Sequence, residues 1–374
     1  MKRIRVLFDY QIFEMHPNGG VFRYFYELMR NLSEDERFDY CLPYVYSPHI
    51  DSEYAMLPNG RPLVHKTVRF KGSYRVARIL NKISSIWMLK RGKYDIFHPT
   101  FYDPYFLNHL NNRPFVLTIH DMIHELFFAE NDKAAEDKKV LAQRAARIIA
   151  VSRNTKADIR KFYGAGIENS VDVVYHGSSL SLKGPPERVH LNLPNEFLLF
   201  VGRREGYKNF LLFVEAIAPI LRTNHDLSLI CVGGAPFDQS ELDAFRRLTV
   251  KDRICRYSAD DDTLAYIFSK AKAFVFPSLY EGFGIPIIES FACGCPVICS
   301  DSSSMSEVAG DAAVYFDPKD IDSIARKVSE VVYNSALLEE LRRKGFDRLK
   351  EFSWRKTAEM TRHVYARAMN PETF

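Results

Sequence analysis

Ala273-Phe274-Val275-Phe276-Pro277-Ser278-Leu279-Tyr280-Glu281-Gly282-Phe283-Gly284-Ile285-Pro286-Ile287-Ile288-Glu289-Ser290-Phe291-Ala292-Cys293-Gly294-Cys295-Pro296-Val297-Ile298-Cys299-Ser300 reads as strand, glycine turn, helix and strand in succession. The strands are Ala273–Pro277 and Pro296–Ser300, and the helical pattern runs over Phe283–Ala292. Two short apolar runs joined by a helix specify a parallel pair. Gly282 and Gly284 let backbone N–H groups approach a ligand, because no Cβ stands in the way. Amides of a first helical turn are unpaired and suit an anionic or hydroxyl-rich guest. Glu281 and Glu289 accept hydrogen bonds only, so at such a turn they would hold hydroxyls, those of a sugar or a ribose. The plainer alternative is a carboxylate that complements the helix dipole.

The same alternation extends in both directions. Strand patterns fall at Ile4–Phe8, Tyr40–Tyr46, Asp95–His98, Phe115–His120, Arg147–Val151 and Val171–Tyr175, with helices between them, notably Val21–Leu32 and Lys138–Ala146. A polar stretch from Ser178 to Asn195, bearing Pro185, Pro186 and Pro194, interrupts the pattern and reads as a linker. A second series follows at Phe197–Val201, Leu227–Val232, Arg253–Tyr257, Ala273–Pro277, Pro296–Ser300 and Val314–Phe316. The expected fold is α/β, two doubly wound Rossmann-like domains facing across a cleft, with ligand loops at the strand C-termini. The expected boundaries are residues 1–180, a linker at 181–195, a second domain at 196–355 and a helical tail at 356–374.

At 374 residues and 47% hydrophobic content the chain can fill two cores. A net charge of +4 is too mild for a nucleic-acid binder, which gathers many cations on one face. No apolar run reaches the ~18 residues of a membrane span, and Asp9 interrupts the apolar start, so a soluble, cytoplasmic protein is expected. The six cysteines, at 41, 231, 255, 293, 295 and 299, fall in segments that read as buried. Cys293 and Cys295 lack the second pair or nearby histidines of a zinc site, so they are expected to pack as small hydrophobes.

After the strand Phe197–Val201 comes Gly202-Arg203-Arg204-Glu205-Gly206-Tyr207-Lys208-Asn209. Cations at a strand end suit a diphosphate, with Arg203 as a fork and Lys208 as a compact charge; solvated surface is the alternative. Asp260-Asp261-Asp262 precedes Thr263 and a helical pattern, so it reads as a helix N-cap and no obligatory or structural metal is expected. Asn18-Gly19-Gly20-Val21 opens the helix Val21–Leu32 as an anion-tolerant N-terminus, without the Gly-x-Gly-x-x-Gly spacing of a nicotinamide site. His120-Asp121 ends a strand at the crevice mouth, either as a satisfied structural residue or as a hydrogen-bond partner of a sugar hydroxyl, with His98 on the acceptor side. Gly233-Gly234 and Tyr257-Ser258 also follow strands and are candidates for contacting a base.

Together these segments resemble the retaining, nucleotide-sugar-dependent glycosyltransferases of family 4, which have the GT-B fold, and among them the bacterial polysaccharide mannosyltransferases. The resemblance covers nearly the whole chain. It rests most on Glu281–Glu289, then on Ala292–Val297 and Glu307-Val308-Ala309-Gly310, then on Gly202-Arg203 with Lys208, His120-Asp121 and Gly19-Gly20. It implies Glu281 against the transferred sugar, Glu289 against the donor ribose, and Arg203 and Lys208 on the diphosphate. It further implies that the amides of Gly282, Phe283, Gly284 and Ile285 seat sugar and phosphate, that His120 lies near the reacting carbon, and that Gly19 and Gly20 approach phosphate and acceptor. Asn209 departs from the glycine many members carry there. The terminal helix after Trp354 is implied to return to the first domain, and anomeric retention is implied by the family alone. GDP-mannose is the favoured donor, with a UDP-sugar as the alternative.

From Arg61 to Lys93 the chain carries ten Lys or Arg residues and no acid. Within it Val76, Ile79, Leu80, Ile83, Ile86 and Trp87 form one helical face, and Arg75, Arg78 and Lys82 another. The preferred reading docks this apolar face on the protein's own sheet. The alternative lays the helix on an anionic membrane at the inner face of the cell, where a glycan or lipid-linked acceptor would meet it. A nucleotide-sugar epimerase of the same architecture and a non-catalytic sugar-nucleotide-binding scaffold are the competing functions.

Overall fold

The computed structural model of the chain describes residues 3–15, 19–43, 73–128, 132–182 and 192–369. The chain divides into two compact units, Met1–His176 with Trp354–Phe374, and Gly177–Ser353. Of the polar stretch read as a linker, residues 183–191 lie outside the described residues, as do Asn18, residues 44–46 of the second strand pattern and residues 61–72 of the basic segment.

The first unit contains β1 (Ile4–Phe8), β2 (Phe38–Cys41), β3 (Ile96–His98), β4 (Val116–Ile119), β5 (Arg147–Ala150) and β6 (Val171–Val173). They pair as two parallel ladders, β2-β1-β3 and β4-β5-β6. A bridge between Phe97 and Phe115 joins the ladders into one order, β2-β1-β3-β4-β5-β6. The chain turns in opposite directions from β1, to β2 on one side and β3 on the other, so the switch point lies beyond the ends of β1 and β3. The last helix, Trp354–Met369, packs on the helix Gly20–Leu32. It places Trp354 and Tyr365 in the same core as Tyr24, Phe25 and Leu28.

One expectation is overturned here. The helix Ser73–Arg91 forms, but of the six apolar residues expected to dock on the sheet five stay exposed and Ile86 is half-buried. Ala77, Asn81, Ser85 and Leu89 face inward, while Val76, Ile79, Leu80, Ile83 and Trp87 are exposed. The inward register is set by Asn81, whose side chain donates to Glu14 at 2.5 Å, and by Lys82 beside Asp103. A polar anchor therefore outranks apolar periodicity.

The second unit contains β7 (Glu196–Val201), β8 (Leu227–Val232), β9 (Ile254–Tyr257), β10 (Ala273–Phe276), β11 (Val297–Ser300) and β12 (Ala313–Phe316). All pairs are parallel, in the order β12-β11-β10-β7-β8-β9. Strands β8, β10 and β11 are buried at every residue, which explains why they read as continuous apolar runs. Cys231 and Cys299 fill such positions. Helices cover the sheet; Phe210–Thr223 sends Phe213, Ile217 and Leu221 into the core, where losing a phenylalanine side chain costs about 3–5 kcal/mol. Here the switch point lies between β7 and β10.

Candidate functional site

Two loops meet at that switch point. The loop after β7 carries Gly202 to Asn209, and the loop after β10 carries Pro277 to Gly284. The Leu279 N–H donates to the Tyr207 carbonyl at 2.7 Å, tying the loops together. The consequence is an ion pair, Lys208 Nζ to Glu281 Oε1 at 2.6 Å, with side chains 16% and 11% exposed. Lys208 also lies 5.5 Å from the Phe276 ring centroid. Asn209 takes a left-handed backbone (φ 58°) and its side chain donates to Pro318 O at 2.7 Å, so an asparagine serves where glycine is common.

The two adjacent arginines have different environments. Arg204 is buried, bonded to Glu241 at 2.6 Å and to Ala235 O at 2.6 Å, with its guanidinium 4.7 Å from the Phe237 ring centroid. Arg203 is exposed. Gly233 and Gly234 press against Gly202; a Cβ on Gly234 would lie 3.2 Å from Gly202 O, so the post-β8 loop needs glycine to close on the post-β7 loop.

Glu281 is held through its backbone. Its N–H donates to Ser303 Oγ at 2.9 Å, and Ser304 Oγ donates to the carbonyls of Glu281 and Phe283 at 2.9 and 3.0 Å. Phe283 is buried edge-on against Phe352, and Gly284 caps the helix Ile285–Ala292 at φ 97°, where a Cβ would meet Ile287 at 3.2 Å. Pro286 supplies no N–H and the Ile287 N–H is engaged by Gly284 O, so of these the helix itself offers the Ile285 amide to a guest. Glu289 is buried in the second turn of this helix. Asp260 caps Asp261–Lys270 by accepting from Thr263 N–H, as its spacing predicts.

In the first unit, the switch point is organised by Asp9, which is wholly buried. It accepts from Thr100 Oγ1 at 2.6 Å, Gln11 Nε2 at 2.7 Å and Tyr105 OH at 3.1 Å. Burial pushes its carboxyl up against these bonds. Beside it opens a cavity of about 630 Å³ lined by Tyr10, Gln11, Glu14, Arg78, Tyr102 and Asp103, among others. Burial pushes the Glu14 carboxyl up to about 7, with the Asn81 amide and Arg78 opposing.

His120 stands behind Tyr102, its backbone N–H donating to the Tyr102 hydroxyl at 3.1 Å. Burial, then the neighbouring His176, His98 and Lys138, hold its imidazole well below the usual range, so the ring is neutral. Its Nε2 finds no hydrogen-bond partner among the described residues. His98 is different. Both its nitrogens are engaged in the core, Nδ1 with Tyr365 OH at 2.7 Å and Nε2 with Thr118 at 2.9 Å, so its expected place on the acceptor side is corrected to a structural one. Gly19 precedes and Gly20 begins the helix Gly20–Leu32.

Thus Lys208, Glu281 and the Gly202 loop share one corner of the second unit, with Gly282 to Ile285 beside them; His120, Gly19 and Gly20 belong to the first unit. Sequence reasoning missed Ser303, Ser304, Glu14 and the buried role of Arg204. The serines follow β11 and Glu14 follows β1, and position after a strand was the available signal.

Two doubly wound parallel units make up the architecture of the GT-B fold. A solved Anabaena protein, HepE in complex with UDP and glucose, superposes with a TM-score of 0.74 at 16% identity over 97% of this chain and 99% of its own. The family profile described as glycosyltransferase family 4 matches residues 18–182, and that described as glycosyl transferases group 1 matches residues 186–348. The chain belongs to this family of glycosyltransferases. Among curated relatives, O-antigen chain mannosyltransferase B of Escherichia coli is 28% identical over 77% of this chain and 78% of its own length. The serotype-specific mannosyltransferase WbdA of Escherichia coli is 29% identical over 48% of this chain, but the match spans only 22% of WbdA.

Proposed function

We propose that this glycosyltransferase moves a hexose, mannose before others, from a nucleoside diphosphate sugar to a hydroxyl of a glycan or lipid-linked saccharide in bacterial surface polysaccharide assembly, with retention at the anomeric carbon. The observation that carries the reading is the Lys208–Glu281 pair at the switch point of the second sheet. The mannosyltransferase relatives support the sugar, and the UDP complex of HepE supports a nucleotide donor while favouring a different base.

On this reading the donor diphosphate takes Lys208 and Arg203 as counter-charges. Glu281, released from Lys208, accepts hydrogen bonds from the sugar hydroxyls, and Glu289 holds the ribose. The bond from C1 to the β-phosphate oxygen breaks, the acceptor oxygen bonds C1 on the same face, and the acceptor proton passes to the departing diphosphate. Negative charge growing on that diphosphate is stabilised by fixed cations and amides, each such donor contributing a factor of about 100 to 1,000. In the first unit, the cavity beside Asp9 offers aromatic faces and polar groups to an acceptor saccharide, and His120 Nε2 offers a bond to a hydroxyl. An acceptor carried on a lipid would bring residues 61–93 to a membrane surface.

The deciding experiment incubates the protein with GDP-mannose or UDP-glucose, with and without a lipid-linked saccharide, and identifies products by mass together with proton NMR, which reads the anomeric configuration and any epimer of the nucleotide sugar. Acceptor-dependent transfer from GDP-mannose, with an α-linked product, supports the proposal. Conversion of the nucleotide sugar without acceptor points to an epimerase, and binding with no turnover to a scaffold; either refutes it.

A further inference from the structure

The helix Ser73–Arg91 wears its apolar face outward. It buries Ala77, Asn81, Ser85 and Leu89, and presents Val76, Ile79, Leu80, Ile83 and Trp87 at 45, 59, 44, 57 and 56% exposure. Surface helices bury such a stripe, and an apolar stripe left outside marks a contact surface. The charges around it identify the partner. Arg75, Lys90, Arg91 and Lys93 are exposed, and no acid occurs between residues 61 and 93. The Arg91 guanidinium lies 4.9 Å from the Trp87 ring centroid, an aromatic and a cation placed together as at a lipid–water boundary. A second copy of the chain would bring the same cations to the same stripe and be repelled.

We infer that the outer face of this helix lies in the plane of an anionic phospholipid bilayer. Val76, Ile79, Ile83 and Trp87 enter the acyl boundary and the cations meet lipid phosphates. Among the described residues no helix is long and apolar enough to cross a membrane, which fits an in-plane attachment. The inference extends the proposed lipid-linked acceptor, and it can fail while glycosyl transfer stands, because vesicle binding is measured without donor.

The test is sedimentation of the whole chain with vesicles of phosphatidylcholine, with and without phosphatidylglycerol, at low and high salt. Of the two tryptophans Trp354 is 6% exposed and Trp87 56%, so a blue shift in emission reports Trp87 entering lipid. Binding confined to anionic vesicles and weakened by salt is expected. It should fall about fivefold for each of Arg75→Ala and Lys93→Ala. The double change Ile79→Glu with Ile83→Glu should abolish it, leaving nucleotide-induced thermal shift and transfer to a water-soluble acceptor intact. Equal binding to neutral vesicles, or binding retained by the double variant, overturns the inference. A dimer in solution that Ile83→Glu dissociates also overturns it, as does shielding of Trp87 from iodide in the absence of lipid, which would show that another part of the chain covers the face.

Discussion

Replacing Glu281 by glutamine should tighten binding of a nucleoside diphosphate while slowing sugar transfer. Lys208 is committed to Glu281 at 2.6 Å, and an incoming diphosphate must compete for it. Coulomb attraction at that distance is on the order of 6 kcal/mol at an effective dielectric of about 20. Desolvation cancels most of it. The net value lies between the ~0–1 kcal/mol of an exposed pair and the ~1.5–3 kcal/mol of a charge-assisted hydrogen bond. With side chains 16% and 11% exposed, about 1–2 kcal/mol is reasonable, or roughly five- to thirtyfold in affinity. Glutamine keeps the shape, frees the ammonium and removes a repelling carboxylate. Calorimetry with GDP and UDP at constant ionic strength measures the gain, and product formation measures the loss, about 100- to 1,000-fold if Glu281 stabilises charge at the sugar. Lys208→Ala should weaken the diphosphate and slow transfer together. Unchanged or weaker diphosphate binding by Glu281→Gln would show that the pair does not gate the donor, and the reasoning fails.

Arg203→Ala should fold normally and weaken nucleotide binding, whereas Arg204→Ala leaves Glu241 buried without its partner and should cost about 3–5 kcal/mol of stability, read from urea unfolding followed by circular dichroism. Gly284→Ala should lower the melting temperature and activity together, since φ 97° and a 3.2 Å approach to Ile287 both oppose a side chain; calorimetric melting that matches the parent would contradict this. Burial holds His98 and His176 down at about 3, below an ordinary value of 6.5, so the folded state binds fewer protons than the unfolded in between and the first unit should lose stability as pH falls from 6.5. By pH 4.5 the loss is about 2–3 kcal/mol per histidine, and tryptophan fluorescence follows it because Trp87 and Trp354 both belong to that unit. Glu14 has the opposite sign: raised from 4.5 to about 7, it destabilises the folded state as pH rises through that window, so Glu14→Gln should gain melting temperature over the parent at pH 8 and not at pH 4.

Much of this protein was legible from residue order alone. Buried parallel strands carry unbroken apolar runs, so the alternation located Ile4–Phe8 and Leu227–Val232 at their observed bounds. The glycine turn before Ile285–Ala292 announced itself because left-handed backbone selects glycine, and Asp260 announced its cap because a carboxylate there accepts an N–H. The helix Ser73–Arg91 was misread in orientation, since periodicity reports that one face is apolar and says nothing about which side is covered.

Sequence by itself determined the element types, their order and the positions after strands where chemistry collects, because these depend on short-range periodicity and backbone sterics. Tertiary structure alone decided pairings between distant residues: Lys208 with Glu281, Arg204 with Glu241, His98 with Tyr365, Asn81 with Glu14. Such pairings arise when strands far apart in the chain become neighbours in a sheet. A hydrogen bond or charge pair acts over a few ångströms of space, and separation along the chain does not measure that distance.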